Sequence, residues 1–191
     1  MSLGDKLTFP VLQTERLILS EITDSDIGAI FDLFSNEDVI EYYDLQVFDE
    51  SSQARNLIEL FRSRFDSKLG IRWGIREKET NLLVGTCGFN SWVLPMKSAV
   101  IGYDLHPIYW GKGFAKEAVK AILQAGFSGS LPCGAIHRVQ ADTVPGNEGS
   151  ERLLLALGFQ PEGLRRESGY WKNKFHDLKC FGLLSHEYKQ T

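Results

Sequence analysis

The chain has 191 residues, 43% hydrophobic and 24% charged, which is enough for one soluble globular domain with a real core. Its formal net charge of -4 gives no electrostatic case for nucleic acid or an anionic membrane, and no apolar run is long enough to span a bilayer. The start, MSLGDKLTFP, lacks the apolar core of a signal peptide; Cys87, Cys133 and Cys180 form no Cys-x-x-Cys pair, which argues against a disulfide framework or a zinc site and for a cytoplasmic protein with free thiols.

The first strand is expected at Arg16 to Ile22. A helix follows, with Thr23 or Asp24 as N-cap and Ile27, Ile30, Phe31 and Phe34 at helical spacing. A second helix is predicted over residues 50–68, apolar at Leu57, Leu60, Phe61 and Phe65. Two strands then flank a polar turn at Lys78 to Asn81, and a further strand, SAVIGYDLHP, ends at Pro107. The stretch YWGKGFAKEAVKAIL opens a strong helix: Ala115, Ala118, Val119, Ile122, Leu123 and Phe127 share one face, and Lys116, Glu117, Lys120 and Gln124 the other. HRVQADTV reads as a strand. NEGSERLLLALGF is a short helix capped by Asn147 and stopped at Gly158, and the rest is mainly strand. No repeat, low-complexity block or linker divides residues 1–191, so the chain is read as one domain of mixed α/β (α+β) layers.

Gly111-Lys112-Gly113 stands between a strand and the strongest helix. Glycines let backbone approach a ligand, and the first-turn N–H groups of a helix have no partner within it. Together they suit a pyrophosphate. The same glycines would also serve a plain strand-to-helix turn. A P-loop is excluded because Phe114 follows Gly113, and a dinucleotide fingerprint because position 116 is Lys.

WGKGFAKEA resembles the acetyl-CoA pyrophosphate loop of the GNAT superfamily, in the Tyr-Trp-Gly-x-Gly form of the RimJ/RimL-type ribosomal-protein alanine N-acetyltransferases. Trp110 replaces the usual Gln or Arg, while Gly113 and Ala115 match. LQTERLILSEIT resembles the opening strand of that branch, with Ser20 in place of its last Arg. IGYDLHP, NEGSERLLLALGF and the closing GLRRESGYWKNKFHDLKCFGLL, with Phe175, His176 and Asp177, match in the same order. The resemblance implies a mixed, mostly antiparallel sheet with helices on both faces. It also implies a splay between the fourth and fifth strands, Ile101 to Leu105 and His137 to Val144, that holds acetyl-CoA as cosubstrate. The implied reaction is acetyl transfer to an amine by direct attack in a ternary complex.

On that resemblance, backbone N–H groups of Gly111, Lys112, Gly113, Phe114 and Ala115, next to Trp110, would hold the diphosphate, with Lys112 adding charge. A backbone N–H near Leu105 would polarise the thioester carbonyl, and Asp104 and Leu105 would pair with pantetheine as an added strand does. The resemblance puts Asn147 against the pantetheine and Ser150 near the sulfur as proton donor; capping alone would also explain Asn147. Many relatives carry Glu where Val100 stands, which leaves Asp104, His106, Glu41, His176 or a water relay for the base. Trp73, Trp92, Trp110 and Trp171, with Tyr42, Tyr43 and Phe48, are candidates for an acceptor pocket or for core. The acidic stretch VIEYYDLQVFDE would suit a cationic acceptor, either a protein N-terminus or a small amine. Two further readings stay open: an acyl-CoA sensor without turnover, and an interaction domain whose glycines only turn the chain. An exposed final strand would offer an edge for a homodimer.

Overall fold

The computed structural model describes residues 7–189, so most of the MSLGDKLTFP stretch read above lies outside the described residues. The chain runs β1 (Leu12–Gln13), β2 (Leu17–Glu21), α1 (Ile27–Phe34), α2 (Glu37–Ile40), α3 (Ser51–Asp66), β3 (Ile71–Glu77), β4 (Leu83–Val93) and β5 (Ser98–Leu105). It continues through α4 (Phe114–Ser128), β6 (Arg138–Thr143), α5 (Glu148–Ala156), β7 (Gln160–Trp171) and β8 (Lys174–Leu184). The eight strands form one sheet in the order β1-β2-β3-β4-β5-β6-β8-β7. Every neighbouring pair is antiparallel except β5 and β6, which run parallel. That parallel pairing covers only Ser98 to Val100 against Arg138 to Gln140. Beyond it the two strands part. The splay expected between the fourth and fifth strands therefore lies between β5 and β6, because the two-residue β1 adds a strand at the edge.

Local sequence explains most boundaries. Thr23 and Asp26 form a reciprocal capping box, and a 3-10 turn over Asp24–Asp26 leads into α1. Gly129 and Gly158 take left-handed φ values of 78° and 92° just past α4 and α5, which a residue without Cβ adopts freely. The four-residue α2, capped by Asn36, carries too little periodicity to be read from sequence. In α3 the buried residues are Ala54, Ile58 and Phe65, whereas Leu60 is 49% exposed. The apolar face is thus rotated away from Leu60. The final strand β8 is flanked by β6 and β7, so the open edge belongs to β7, which is exposed along most of its length.

Two cores lie against the sheet. The larger joins Ile71, Trp73, Ile75, Cys87, Phe89, Ala99 and Ile101 to Ala118, Val119, Ile122 and Leu123 of α4. The smaller joins Ile22, Ile30, Phe34, Phe48 and Ile58 around α1 and α3. Alternation along β3, β4 and β5 sends Arg72, Thr86, Asn90 and Asp104 away from the α4 core. Gly102 makes room there: a Cβ would come within 2.7 Å of Arg72 Nη1.

Burial in α3 yields a direct test. Ile58→Ala removes a side chain that is 1% exposed and should cost about 2–4 kcal/mol, whereas Leu60→Ala should stay within about 0.5 kcal/mol of wild type. Urea unfolding of the two variants reads the difference.

Candidate active site

A cleft of about 750 Å³ opens where β5 and β6 part. One end is lined by Trp110, Gly111 and the first turn of α4, from Gly113 to Lys116. Its wall includes Tyr103, Leu105 and the first turn of α5, from Asn147 to Ser150. The far end is lined by Asp38, Glu41, Tyr42, Tyr43 and Asp104.

Ladder geometry gives the cleft a polar wall. His106 N donates to Val84 O at 2.9 Å, and Leu105 faces Gly85 in register. In an antiparallel pair, hydrogen-bonded and non-hydrogen-bonded positions alternate. The peptide groups of Asp104 therefore turn to β4, and those of Tyr103 and Leu105 turn to the gap. The Leu105 carbonyl is met by the Trp110 indole N–H at 2.6 Å. Trp110 thus ties the end of β5 to the loop that follows it.

The loop itself is built for close approach. Gly111 and Gly113 have φ of 72° and 81°, a region L side chains avoid. A Cβ on Gly111 would meet nothing within 4 Å, so the surface there is open. Lys112 does not line the cleft; its Nζ lies 5.4 Å from the Tyr109 ring centroid. Lys116 does line it.

The loop is fastened from a distance. Arg16 Nη1 donates to the Lys112 carbonyl at 3.0 Å, and Arg16 Nε to Glu117 Oε2 at 2.7 Å. Thr14 Oγ1 donates to the other Glu117 oxygen at 2.6 Å, and the Arg16 guanidinium lies 4.6 Å over the Phe114 ring. Burial alone would raise the Glu117 carboxyl, but hydrogen bonds from Thr14 and Arg16 outweigh it and hold it below the usual range. Thr14, Arg16 and Glu117 are functional supports that sequence reasoning missed. Their only signal was the Leu-x-Thr-x-Arg pattern, which names one side of a contact spanning about a hundred residues.

At the α5 end, Asn147 Oδ1 accepts from Ser150 N at 3.1 Å. Asn147 is a true cap, and its amide N–H groups remain to meet a ligand. Ser150 Oγ lies 2.6 Å from the Tyr103 hydroxyl, a contact that bridges β5 and α5. Burial pushes the Tyr103 phenol up to about 12, the Ser150 hydrogen bond works against this, and the Asp104 charge adds to it. Tyr103 was legible as part of Ile-Gly-Tyr, but not as a partner of Ser150.

Asp104 is fully committed. Its carboxylate pairs with Arg72 and accepts from Thr86 Oγ1 at 2.8 Å, and the two charged side chains are 2% and 3% exposed. Arg72 also donates to Thr86 Oγ1 at 2.9 Å and to Asn90 Oδ1 at 2.8 Å. Burial and the Asp104 charge push the Tyr43 phenol well up. Of the other base candidates, His106 pairs with Asp32 at 3.4 Å and His176 stacks on Trp171 at 4.0 Å; neither lines the cleft. Glu41 does. Trp73 and Trp92 are core, and Trp171 stands apart from the cleft.

Residues 16–160 match the family model described as an acetyltransferase (GNAT) domain. The chain belongs to the GNAT acetyltransferase family. With that membership come acetyl-CoA as cosubstrate and an amine as acceptor. This acetyltransferase is 39% identical over 176 residues, covering 92% of its own length and 97% of the other, to the uncharacterized N-acetyltransferase YoaA of Bacillus subtilis strain 168. It is 26% identical to the [ribosomal protein uS5]-alanine N-acetyltransferase of Escherichia coli K12, covering 85% and 86% of the two chains. Among solved structures it is similar to a GNAT-family acetyltransferase from Bacillus anthracis, with a TM-score of 0.81, 25% identity, and coverage of 93% and 100%.

The Glu117 lock makes stability depend on acid. A carboxyl held low in the folded state stabilises it above the ordinary glutamate value of 4.5, and the benefit drains away as pH falls through the lower folded value. Wild type should therefore exceed Glu117→Gln in stability at neutral pH, and the two should converge below that value. Denaturant unfolding against pH checks this.

Proposed function

We propose that the cleft holds acetyl-CoA with its diphosphate on the first turn of α4 and its pantetheine along β5, and delivers the acetyl group to a cationic primary amine from the α2 side. The whole chain is read as one catalytic domain working in the cytoplasm. The observation that carries this reading is the β5–β6 gap, flanked by two helix N-termini and an open row of peptide groups. Backbone N–H groups of Gly111 to Ala115, with Lys116 beside them, suit an anion. Lys112 would add only long-range charge.

Pantetheine would pair with Tyr103 and Leu105, not with Asp104, whose peptide groups turn to β4. The Leu105 N–H is then placed to meet the thioester oxygen as charge develops, a kind of contact worth roughly 3 kcal/mol in a transition state. The acceptor nitrogen first gives its ammonium proton to solvent; the neutral amine then attacks the carbonyl carbon, the C–S bond breaks, and the thiolate departs near Asn147 and Ser150 at the positive end of α5.

The acceptor end carries Asp38 and Glu41, neither of which joins an ion pair among the described residues. The cations near that end are engaged: Arg72 with Asp104, and Lys172 with the Ile40 carbonyl at 2.6 Å. This charge pattern favours an amine with a second positive charge, on a basic protein N-terminus or a small polyamine. A protein N-terminus is the acceptor class of the alanine acetyltransferase similar to this chain. The exposed β7 edge would serve a homodimer.

Calorimetry with acetyl-CoA tests the cofactor reading. Wild type should bind in the micromolar range, and Gly113→Glu, which sets a carboxylate on a residue with φ of 81°, should bind none while keeping its fold. A folded wild type that fails to bind acetyl-CoA sinks the proposal. For the acceptor, Glu41→Gln should raise KM for a dicationic amine severalfold at low salt and less at high salt, with acetyl-CoA affinity unchanged. An equal effect on a monocationic amine would argue against a second charge.

A further inference from the structure

The hydrogen bond between Tyr103 and Ser150 crosses the gap at mid-cleft. It joins β5, whose peptide groups face the cofactor, to the first turn of α5. Ser150 also receives order from below, since its N–H is held by Asn147. The serine hydroxyl thus has a fixed neighbour and further hydrogen-bonding capacity of its own. A serine hydroxyl is one donor with two acceptor sites. If the tyrosine proton points to Ser150 Oγ, the serine proton is free to point into the cleft.

We propose that Tyr103 is a positioning residue that sets the Ser150 hydroxyl as donor to the departing thiolate and resupplies its proton. The inference rests on the acetyl-transfer reading above. In the step, the amine, already neutral after losing its ammonium proton to solvent, forms the new C–N bond through its nitrogen lone pair, and the C–S bond breaks with its electron pair on sulfur. Sulfur takes the Ser150 proton, and Ser150 takes the Tyr103 proton. The phenoxide recovers a proton from the nitrogen, which loses one on becoming an amide. The sum is one N–H lost and one S–H gained, with no other reactant.

The pair's surroundings fit a relay. Tyr103 is half-buried in the larger core, which fixes its ring. A phenol raised by burial gives a phenoxide basic enough to recapture the amine proton promptly. Asp104, next along β5, is neutralised by Arg72 and does not compete for the phenol proton of Tyr103. Tyr43, whose phenol the Asp104 charge helps to raise, lines the far end of the same cleft.

The test is a double-mutant cycle on kcat, read as free CoA thiol released with a saturating amine. Tyr103→Phe keeps the ring and should keep the melting temperature and the calorimetric affinity for acetyl-CoA. Its kcat should fall about 10²-fold. Ser150→Ala should fall as far, and the double variant no further than either, since residues acting as a unit are not additive. A Tyr103→Phe kcat close to wild type overturns the relay, as do additive losses or a loss of acetyl-CoA affinity in proportion to the loss of rate. Failure of the parent reading looks different: wild type would then release no thiol with any amine, and both inferences would fall together.

Discussion

The parallel pairing of β5 and β6 stops after three residues on each strand, and the site depends on that stop. In a closed sheet each peptide group of a central strand finds a partner, and burying one without a partner costs free energy. Here Ile101 to Leu105 lose their β6 neighbour while β4 still holds their other side. On the far side, β8 holds β6 through Thr143. The two half-sheets are each complete, so the gap between them persists without collapse. What remains is a row of peptide groups aimed into a cleft.

Charge is arranged along that cleft by ordinary local rules. The first turns of α4 and α5 both line it, and each presents the positive end of a helix, although in α5 the N–H groups of Glu148 and Ser150 already bond to the Gly146 carbonyl and to Asn147 Oδ1. The opposite end is acidic. Between them, Asp104 would be a costly buried anion, but Arg72 and Thr86 satisfy it. The pair ties β3, β4 and β5 together beneath the cleft and withdraws the carboxylate from proton transfer. Val100 carries no carboxylate and Asp104 is engaged, so neither of these β5 side chains is free to act as base; Asp38 and Glu41 line the far end of the cleft.

The glycine loop shows why a motif needs its supports. Gly111 and Gly113 let the backbone turn, yet they contribute no rigidity of their own. Rigidity comes from Arg16 and Thr14, which grip Glu117 and the Lys112 carbonyl from the sheet edge, and from Trp110, which grips Leu105. The indole serves there as a single N–H donor at a strand end.

The sequence by itself determined the elements whose cause is local. Period, caps and glycines marked α1, α4, α5 and the strands β2 to β6, because each depends on residues a few positions apart. The order of motifs named the family and its cofactor. Tertiary structure decided what joins distant residues. Leu60 of α3 turned outward because Ile58 faced the core, and Lys112 turned to Tyr109 while Lys116 faced the cleft. Asp104 gave its carboxylate to Arg72 and its peptide groups to β4, leaving Tyr103 and Leu105 to the gap. Tyr103 met Ser150 across 47 residues of chain. Such contacts depend on strand register and on where one pairing ends, and neither is written in any short stretch of residues.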